Sequence, residues 1–476
     1  MESLEKLEKI SQKYGNPFLE TLFDKPYTIS QILQNFSEGA FVSVAGRLIT
    51  KREHGKSSFS HISDYTGKLQ IYAQVNALGN LYELFKDIDV GDIIGVKGKL
   101  FKTKTGEPTV FVEELKLLSK ALRPLPEKWH GLKDIETRFR QRYLDLIANP
   151  SVRDIFIKRS KIISLIKEFF DNNGYIEVET PMLHTIAGGA SGKPFITHHN
   201  ANNCDVYLRI APELYLKRLL VGGFDKIYEI NRNFRNEGIS THHSPEFTML
   251  EAYCAYQNYE YMMGLCENLF KFLLEKLYSS LVIEYQGIKI DFIPPWPRIS
   301  FAQLFKEEFG IESKDSQEVF LEKIRKKINA DISLSRTQLL KITEELIEKK
   351  FPLDKPAFII DFFTWTSPLA KTKKDDVNLV ERFELFIGGL EVANAYSELN
   401  NPIEQRERFL KQLEIEEELP KKIDEDFLTS LEYGMPPATG LGIGIDRLIM
   451  ILLNQPSIRE VILFPLLKPI DTNNET

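Results

Sequence analysis

The segment Phe234-Arg-Asn-Glu-Gly-Ile-Ser-Thr-His-His-Ser-Pro-Glu-Phe247 decides the fold. It joins an alternating run over 226–233 to a second over 245–253 through a loop punctuated by Gly238 and Pro245, the pattern of two antiparallel strands. On the first run Arg235 and Glu237 share parity and therefore a face; on the second Phe247, Met249, Glu251 and Tyr253 share one. An arginine, carboxylates, aromatics and the pair His242-His243 thus converge on one hairpin. Arg235 has the planar fork that grips a carboxylate or phosphate through two hydrogen bonds. Phe247 offers a face to a planar base, and His243 is placed to touch a terminal phosphate. An incidental surface ion pair would explain the arginine and one glutamate, but not the other matched positions.

A second segment, Glu381-Arg-Phe-Glu-Leu-Phe-Ile-Gly-Gly-Leu-Glu-Val-Ala-Asn-Ala-Tyr-Ser-Glu398, reads as another hairpin turning at Gly388-Gly389. A four-residue loop over 386–389 would set Glu384 directly opposite Glu391. Like charges in a cross-strand pair repel, and a divalent cation such as Mg²⁺, held together with nucleotide phosphates, turns that repulsion into a binding site. Asn394, Tyr396 and Glu398 share a face whose parity differs from that of Glu391, so one pocket lined by all four requires a β-bulge between them. The third segment, Gly440-Leu-Gly-Ile-Gly-Ile-Asp-Arg-Leu-Ile-Met450, has glycine at every second position. This is not the G-x-G-x-x-G spacing of a dinucleotide loop. Alternate glycines in a strand instead admit close approach of another backbone or a ligand, and Arg447 follows at the strand-to-helix junction.

Outward from these segments, the alternating runs over 205–210, 226–233, 245–253 and 382–399 are segregated from helical runs, which favours an α+β architecture with an antiparallel sheet over a doubly wound parallel one. A long amphipathic helix is expected over 151–173, with Gly174 at its C-terminal cap and a short strand ending at Pro181. Residues 299–355 read as an inserted helical subdomain. Upstream, five short alternating runs over 41–50, 58–64, 68–74, 92–101 and 109–118, with a helix at 78–87, have the order of an all-β OB-fold barrel. These patterns divide the chain into an N-terminal helical extension at 1–35, a barrel domain at 36–125 and a catalytic-type domain at 126–476, with the proline-containing stretch 121–128 as linker.

Composition sets the limits. The 476 residues, 43% apolar and 27% charged, are enough for two or three packed domains and exclude a disordered or fibrous chain. The longest apolar run near the C-terminus, Leu448–Leu453, has six residues, far short of the roughly 20 that span a bilayer; no membrane association is expected. The charged N-terminus lacks a signal peptide's apolar core, and Cys204, Cys254 and Cys266 match no metal or redox spacing. Together these predict a cytoplasmic protein. The net charge is −7, yet residues 36–125 carry 13 Lys+Arg against 10 Asp+Glu, a local balance suited to phosphate contact.

The three segments resemble motifs 2 and 3 of the class II aminoacyl-tRNA synthetases, and residues 151–181 resemble motif 1. The finer similarity is to the lysyl-tRNA synthetases, through His130-Gly-Leu-Lys-Asp, Arg140-Gln-Arg-Tyr-Leu-Asp-Leu146, Gly188-Gly-Ala, Pro194-Phe-Ile-Thr-His-His-Asn200 and Tyr207-Leu-Arg-Ile-Ala-Pro-Glu-Leu-Tyr-Leu-Lys-Arg218. It is collinear from about residue 41 to 469. The resemblance implies a homodimer that activates L-lysine with ATP and Mg²⁺ and charges tRNA(Lys), reading the anticodon with its barrel.

Carried over position by position, the resemblance makes Arg235 the clamp on the lysine carboxylate and α-phosphate. Glu237, His243, Phe247 and Arg447 hold ATP, and Glu384 and Glu391 bind Mg²⁺. Gly189 and Glu213 take the α-ammonium. Glu251, Tyr253 and Glu398 take the ε-ammonium, with Asn394 and Tyr396 completing the pocket. Arg52, Phe59, Gln70 and Glu107 contact the anticodon, where splayed bases are read by stacking and hydrogen bonding. His242 departs from the arginine common in bacterial members, as do Pro437-Ala-Thr-Gly440 and Asn394-Ala-Tyr396 from the usual residues there. Aspartyl and asparaginyl relatives need a cation in the side-chain pocket, whereas the three glutamates here suit a cationic substrate.

Overall fold

In the computed structural model the described residues are 2–125, 132–190, 192–329, 336–415 and 422–469. The end of the proline-containing linker and the start of the His130 motif lie outside them. The chain divides into two compact units, Met1–Arg153 and Asp154–Thr476.

In the first unit β1 (Phe41–His54), β2 (Ser57–Ser63), β3 (Lys68–Gln74), β4 (Ile93–Lys102) and β5 (Pro108–Ser119) close into a barrel of order β1-β2-β3-β5-β4. Alternation does this work: Val42, Val44 and Leu48 on β1 and Leu69, Ile71 and Ala73 on β3 point into the core, while intervening side chains face outward. The expected helix between β3 and β4 occurs as two pieces, Val75–Leu78 and Leu81–Asp87, separated at Gly79, whose φ is +53°. The N-terminal segment forms helices Glu2–Tyr14 and Ile29–Gln34. Ile10, Ile29 and Ile32 are buried in the barrel's core, so this segment packs on the barrel.

The second unit begins within the helix Pro150–Asn172, which ends, as the sequence indicates, ahead of Gly174 with φ +77°. After β6 (Ile176–Glu177), strands β7 (Leu183–His184), β8 (Ile196–His199) and β9 (Cys204–Leu208) form a small sheet. Then come β10 (Lys226–Phe234) and β11 (Glu246–Ala255), the hairpin β12 (Val282–Tyr285) and β13 (Ile288–Asp291), β14 (Arg298–Ser300), β15 (Ala357–Ile360), β16 (Arg382–Ile387), β17 (Leu390–Ser397) and β18 (Ala438–Gly444). Eight of these make the main sheet in the order β14-β15-β16-β17-β18-β11-β10-β6. Its interior pairings are antiparallel; the two edge pairs, β14/β15 and β10/β6, are parallel.

One face of the sheet, carrying Leu250, Ala252, Ala393, Ala395, Leu441 and Ile443, packs on the helices Pro150–Asn172, Tyr259–Tyr278 and Ile445–Leu452. The other face carries Met249, Glu251, Tyr253, Asn394, Tyr396, Gly440 and Gly442, all of which line a cavity. The insertion contributes helices Phe301–Phe309, Gln317–Ile328 and Arg336–Glu348; Ser300 and Ser316 cap the first two. Its core is aromatic, with Phe301, Phe305 and Phe320 packed on Phe362 and Phe363.

Candidate active site

β10 and β11 pair from Lys226↔Cys254 to Phe234↔Glu246. Arg235 and Glu237 therefore lie just beyond the regular ladder, although Arg235 N still donates to Pro245 O at 2.8 Å. The guanidinium of Arg235 lies over the Phe247 ring, 5.2 Å from its centroid, a cation–π arrangement that leaves the ring's other face to a stacking partner. Its Nε is buried without a hydrogen-bond partner among the described residues, a donor prepared for an anion. Burial lowers the Arg235 pKa, opposed by Glu237, Glu391 and Glu251; arginine stays charged.

Arg447 stands at the start of the helix Ile445–Leu452 and gathers the phosphate-side residues. It donates to Glu391 O at 2.7 Å, to Glu391 Oε2 at 3.2 Å and to His243 Nε2 at 3.1 Å. With Nε2 accepting, the ring proton is assigned to Nδ1, 2.8 Å from Ser240 Oγ. Asp446 anchors this helix start by accepting from Thr248 N at 2.7 Å and pairing with Arg159 at 2.7 Å. Burial and then Arg447 lower the pKa of His242, so this position carries no charge at neutral pH.

The expected register of the β16–β17 hairpin needs correction. Gly388 and Gly389, with φ +56° and +82°, form a two-residue turn rather than part of a four-residue loop. Phe386 pairs with Glu391 and Leu385 with Ala393, so Glu384 stands opposite Asn394, not opposite Glu391. The register shift between Leu385 and Phe386 leaves Val392 as the extra residue. That is the bulge the parity argument requires: it puts Glu391 on the cavity side with Asn394, Tyr396 and Glu398. Arg382, absent from the sequence reading, ties Glu384 to Asn394, with Nη2 2.5 Å from Glu384 Oε1 and Nε 3.2 Å from Asn394 Oδ1. Burial raises the pKa of Glu384; Arg382 opposes the shift and Glu391 adds to it.

At the other end of the cavity, of about 440 Å³, stand Glu213, Glu251 and Glu398, with exposures of 5%, 5% and 0%. Tyr396 donates to Glu213 Oε1 at 2.6 Å, and Tyr253 donates to Glu251 Oε2 at 3.1 Å. Lys217, fully buried, lies 2.6 Å from Glu213 Oε1 and 2.5 Å from Glu398 Oε2; the sequence reading did not single it out. Among the described residues neither carboxylate oxygen of Glu398 has a hydrogen-bond partner; Oε2 meets Lys217 as an ion pair and Oε1 is buried. Burial, then Glu213, pushes the Glu251 carboxyl up to about 8, and burial raises Glu398 despite Lys217. Behind them Arg209 and Glu229 form a further buried pair at 2.7 Å.

The glycines explain how so much chemistry fits. A methyl at Gly440 would overlap Glu398 Oε1 and the Tyr253 ring, one at Gly442 would come within 2.7 Å of Met249, and Gly189, φ +89°, lies against Glu213. Of the residues expected at the site, Gly189, Glu213, Arg235, Glu237, His243, Phe247, Glu251, Tyr253, Glu391, Asn394, Tyr396, Glu398 and Arg447 line the one cavity. Glu384 sits behind Arg382 rather than in the lining.

On the barrel, register places Arg52, Phe59, Tyr72, Phe111 and Lys99 in one cross-strand row over five strands. Phe59 and Tyr72 have centroids 4.5 Å apart, and Tyr72 and Phe111 6.0 Å. Beside this row Glu107 accepts from Gln70 Nε2 at 2.8 Å and lies 2.8 Å from His61 Nε2. Tyr72 and Phe111 escape sequence reading because only register reveals the row.

Two family models match the chain: "tRNA synthetases class II (D, K and N)" over residues 134–468 and "OB-fold nucleic acid binding domain" over residues 42–118. Among similar curated proteins, the lysine–tRNA ligase of Carboxydothermus hydrogenoformans is 53% identical over 98% of both chains. That of Pelotomaculum thermopropionicum is 53% identical over 98% of this chain and 94% of its own. That of Thermoanaerobacter pseudethanolicus is 50% identical, over 98% and 95%. With an OB-fold barrel, a class II sheet and these near full-length relatives, the chain belongs to the lysine–tRNA ligase family of the class II tRNA synthetases.

Proposed function

We propose that the protein activates L-lysine with ATP to lysyl-adenylate and transfers the lysyl group to the 3′ end of tRNA(Lys). The observation that carries this reading is the polarity of the cavity: three buried carboxylates at one end, Arg235 and Arg447 at the other. Lysine has the complementary layout, two ammonium groups and a carboxylate, and a buried charge requires such pairing.

Arg235 holds the lysine carboxylate beside the α-phosphate, and Phe247 and Arg447 enclose the adenine. The carboxylate oxygen attacks the α-phosphorus and pyrophosphate leaves; a terminal ribose hydroxyl of tRNA then attacks the acyl carbon and AMP leaves. No side-chain nucleophile is needed, so positioning and charge neutralisation supply the rate. Glu384 and Glu391 are hard oxygen donors on neighbouring strands. Such donors, together with substrate phosphates, are the ligands Mg²⁺ takes. When bound, Mg²⁺ supplies charge neutralisation to the phosphates. The homodimer belongs to the same proposal: Ile157 and Ile176, in the motif 1 region, are 50% and 53% exposed, apolar area that a second copy would cover. Cytoplasmic residence accords with three free cysteines.

Charging of tRNA(Lys) with labelled lysine tests the reading. Wild-type protein is expected to charge it, and failure to do so would count against the proposal. Phe59→Ala is expected to raise KM for tRNA(Lys) by about 5- to 150-fold, the loss of one stacked base at 1–3 kcal/mol, with lysine-dependent pyrophosphate exchange unchanged. An unchanged tRNA KM would remove Phe59 from the anticodon contact.

Affinity for lysine should also depend on pH. Glu251 has a pKa near 8, raised from 4.5 by burial, so it holds a proton below pH 8 that must leave when an ammonium pairs with it. Lysine affinity therefore rises between pH 6.5 and 8.5, by up to about tenfold per unit per proton released. A folded-state pKa above the unfolded value stabilises the free protein at low pH, and that contribution is lost as pH rises through about 8. The lysine-induced rise in Tm should accordingly be larger at pH 8.5 than at 6.5; a smaller rise at 8.5 would contradict the assignment.

A further inference from the structure

Lys217 lies one helical turn from Glu213 on the helix Glu213–Val221. In isolation that i, i+4 spacing describes an ordinary surface pair. Here the side chain has no solvent exposure, and β17 delivers Glu398 to its other side at 2.5 Å. Its Nζ also lies 5.5 Å from the centre of the Tyr396 ring. Lys217 is absent from the cavity lining, whereas Glu213, Glu398 and Tyr396 are all in it. The ammonium thus stands behind the pocket floor and touches two of its three carboxylates from the side a substrate cannot reach.

We infer that Lys217 is a positioning residue, a built-in counter-ion that offsets the burial of the Glu398 carboxylate, aims Glu213 and Glu398 into the cavity and sets the pocket's charge to match a diammonium amino acid. This rests on the lysine reading above. Three carboxylates and one ammonium leave two negative charges, the number that the α- and ε-ammonium groups of lysine neutralise. The geometry divides each carboxylate between the two cations: Glu398 sets Oε2 2.5 Å from Lys217 and keeps Oε1 by Gly440, while Glu213 gives Oε1 to Lys217 and Tyr396 and keeps Oε2. Burial works against the Lys217 charge, but Glu213 and Glu398 outweigh it and raise its pKa. The other groups that bear on the cluster are Glu251, Tyr253, Tyr396 and the buried Arg209–Glu229 pair.

Without this ammonium, Glu398 loses the charge that opposes its burial, and its carboxyl takes a proton that lysine must then displace. Lys217→Met is therefore expected to raise KM for lysine at least about tenfold at pH 7.5, with kcat within threefold and KM for ATP unchanged. Calorimetric lysine titrations in two buffers of different ionisation heat should count about one more proton released per lysine bound than in wild type. Lys217→Gln fills the slot without the charge and should behave alike if the methionine variant does not fold. A lysine KM within twofold of wild type together with an unchanged proton count overturns the inference. So does a parallel loss of kcat and ATP binding, which marks a merely structural role. If wild-type protein shows no lysine-dependent exchange, the functional reading itself has failed; if wild type exchanges normally and both variants match it, only the role of Lys217 falls.

Discussion

Replacing Arg235 with alanine is expected to lower lysine-dependent ATP–pyrophosphate exchange by about 10²–10³-fold, the loss that follows removal of a preorganised donor to developing charge. Arg235 is held in place before any ligand arrives: its guanidinium rests on Phe247, its backbone extends the β10–β11 ladder and its Nε has no hydrogen-bond partner among the described residues. Such a donor needs no reorganisation when charge builds on the α-phosphate. Arg235→Lys keeps the charge but loses the planar fork, so it should recover only part of the rate. Exchange within a few-fold of wild type in the alanine variant would show that the carboxylate and α-phosphate are held elsewhere.

The second large effect is expected at Glu398. Glu398→Gln conserves shape but removes the charge proposed to face the bound ammonium, and breaking a buried pair costs about 3–5 kcal/mol. At 1.4 kcal/mol per decade, KM for lysine should rise by roughly 10²- to 4 × 10³-fold, while KM for ATP stays near wild type. The loss belongs to the amino-acid end alone, because Glu398 touches Lys217 and Gly440 and not the arginines. Unaltered lysine KM in this variant would remove Glu398 from the ε-ammonium pocket.

The parts of this architecture that depend on local pattern were legible in the sequence. The five barrel strands follow their alternation because one face of each is buried, and the helix Pro150–Asn172 ends ahead of the glycine that marks it. Glycine alternation in β18 correctly announced a close approach, since Gly440 and Gly442 admit the side chains of β11 and β17. What required the structure was register and tertiary arrival. Nothing local chooses a two-residue turn at Gly388-Gly389 over a four-residue one, and the bulge at Val392 is fixed by what both faces of β17 must meet: Ala393 and Ala395 in the core, Asn394 and Tyr396 in the cavity. Lys217 reads as a commonplace helix pair until Glu398, 181 residues later, closes on it. Arg382 likewise gains meaning only when Glu384 and Asn394 become cross-strand neighbours.

That the acidic end of the cavity selects lysine for adenylate formation is tested most directly by ATP–pyrophosphate exchange with each of the twenty amino acids, without tRNA. Exchange supported by lysine alone is the predicted result. Exchange with aspartate or asparagine would contradict the pocket assignment, and no exchange with any amino acid would contradict the adenylate chemistry itself.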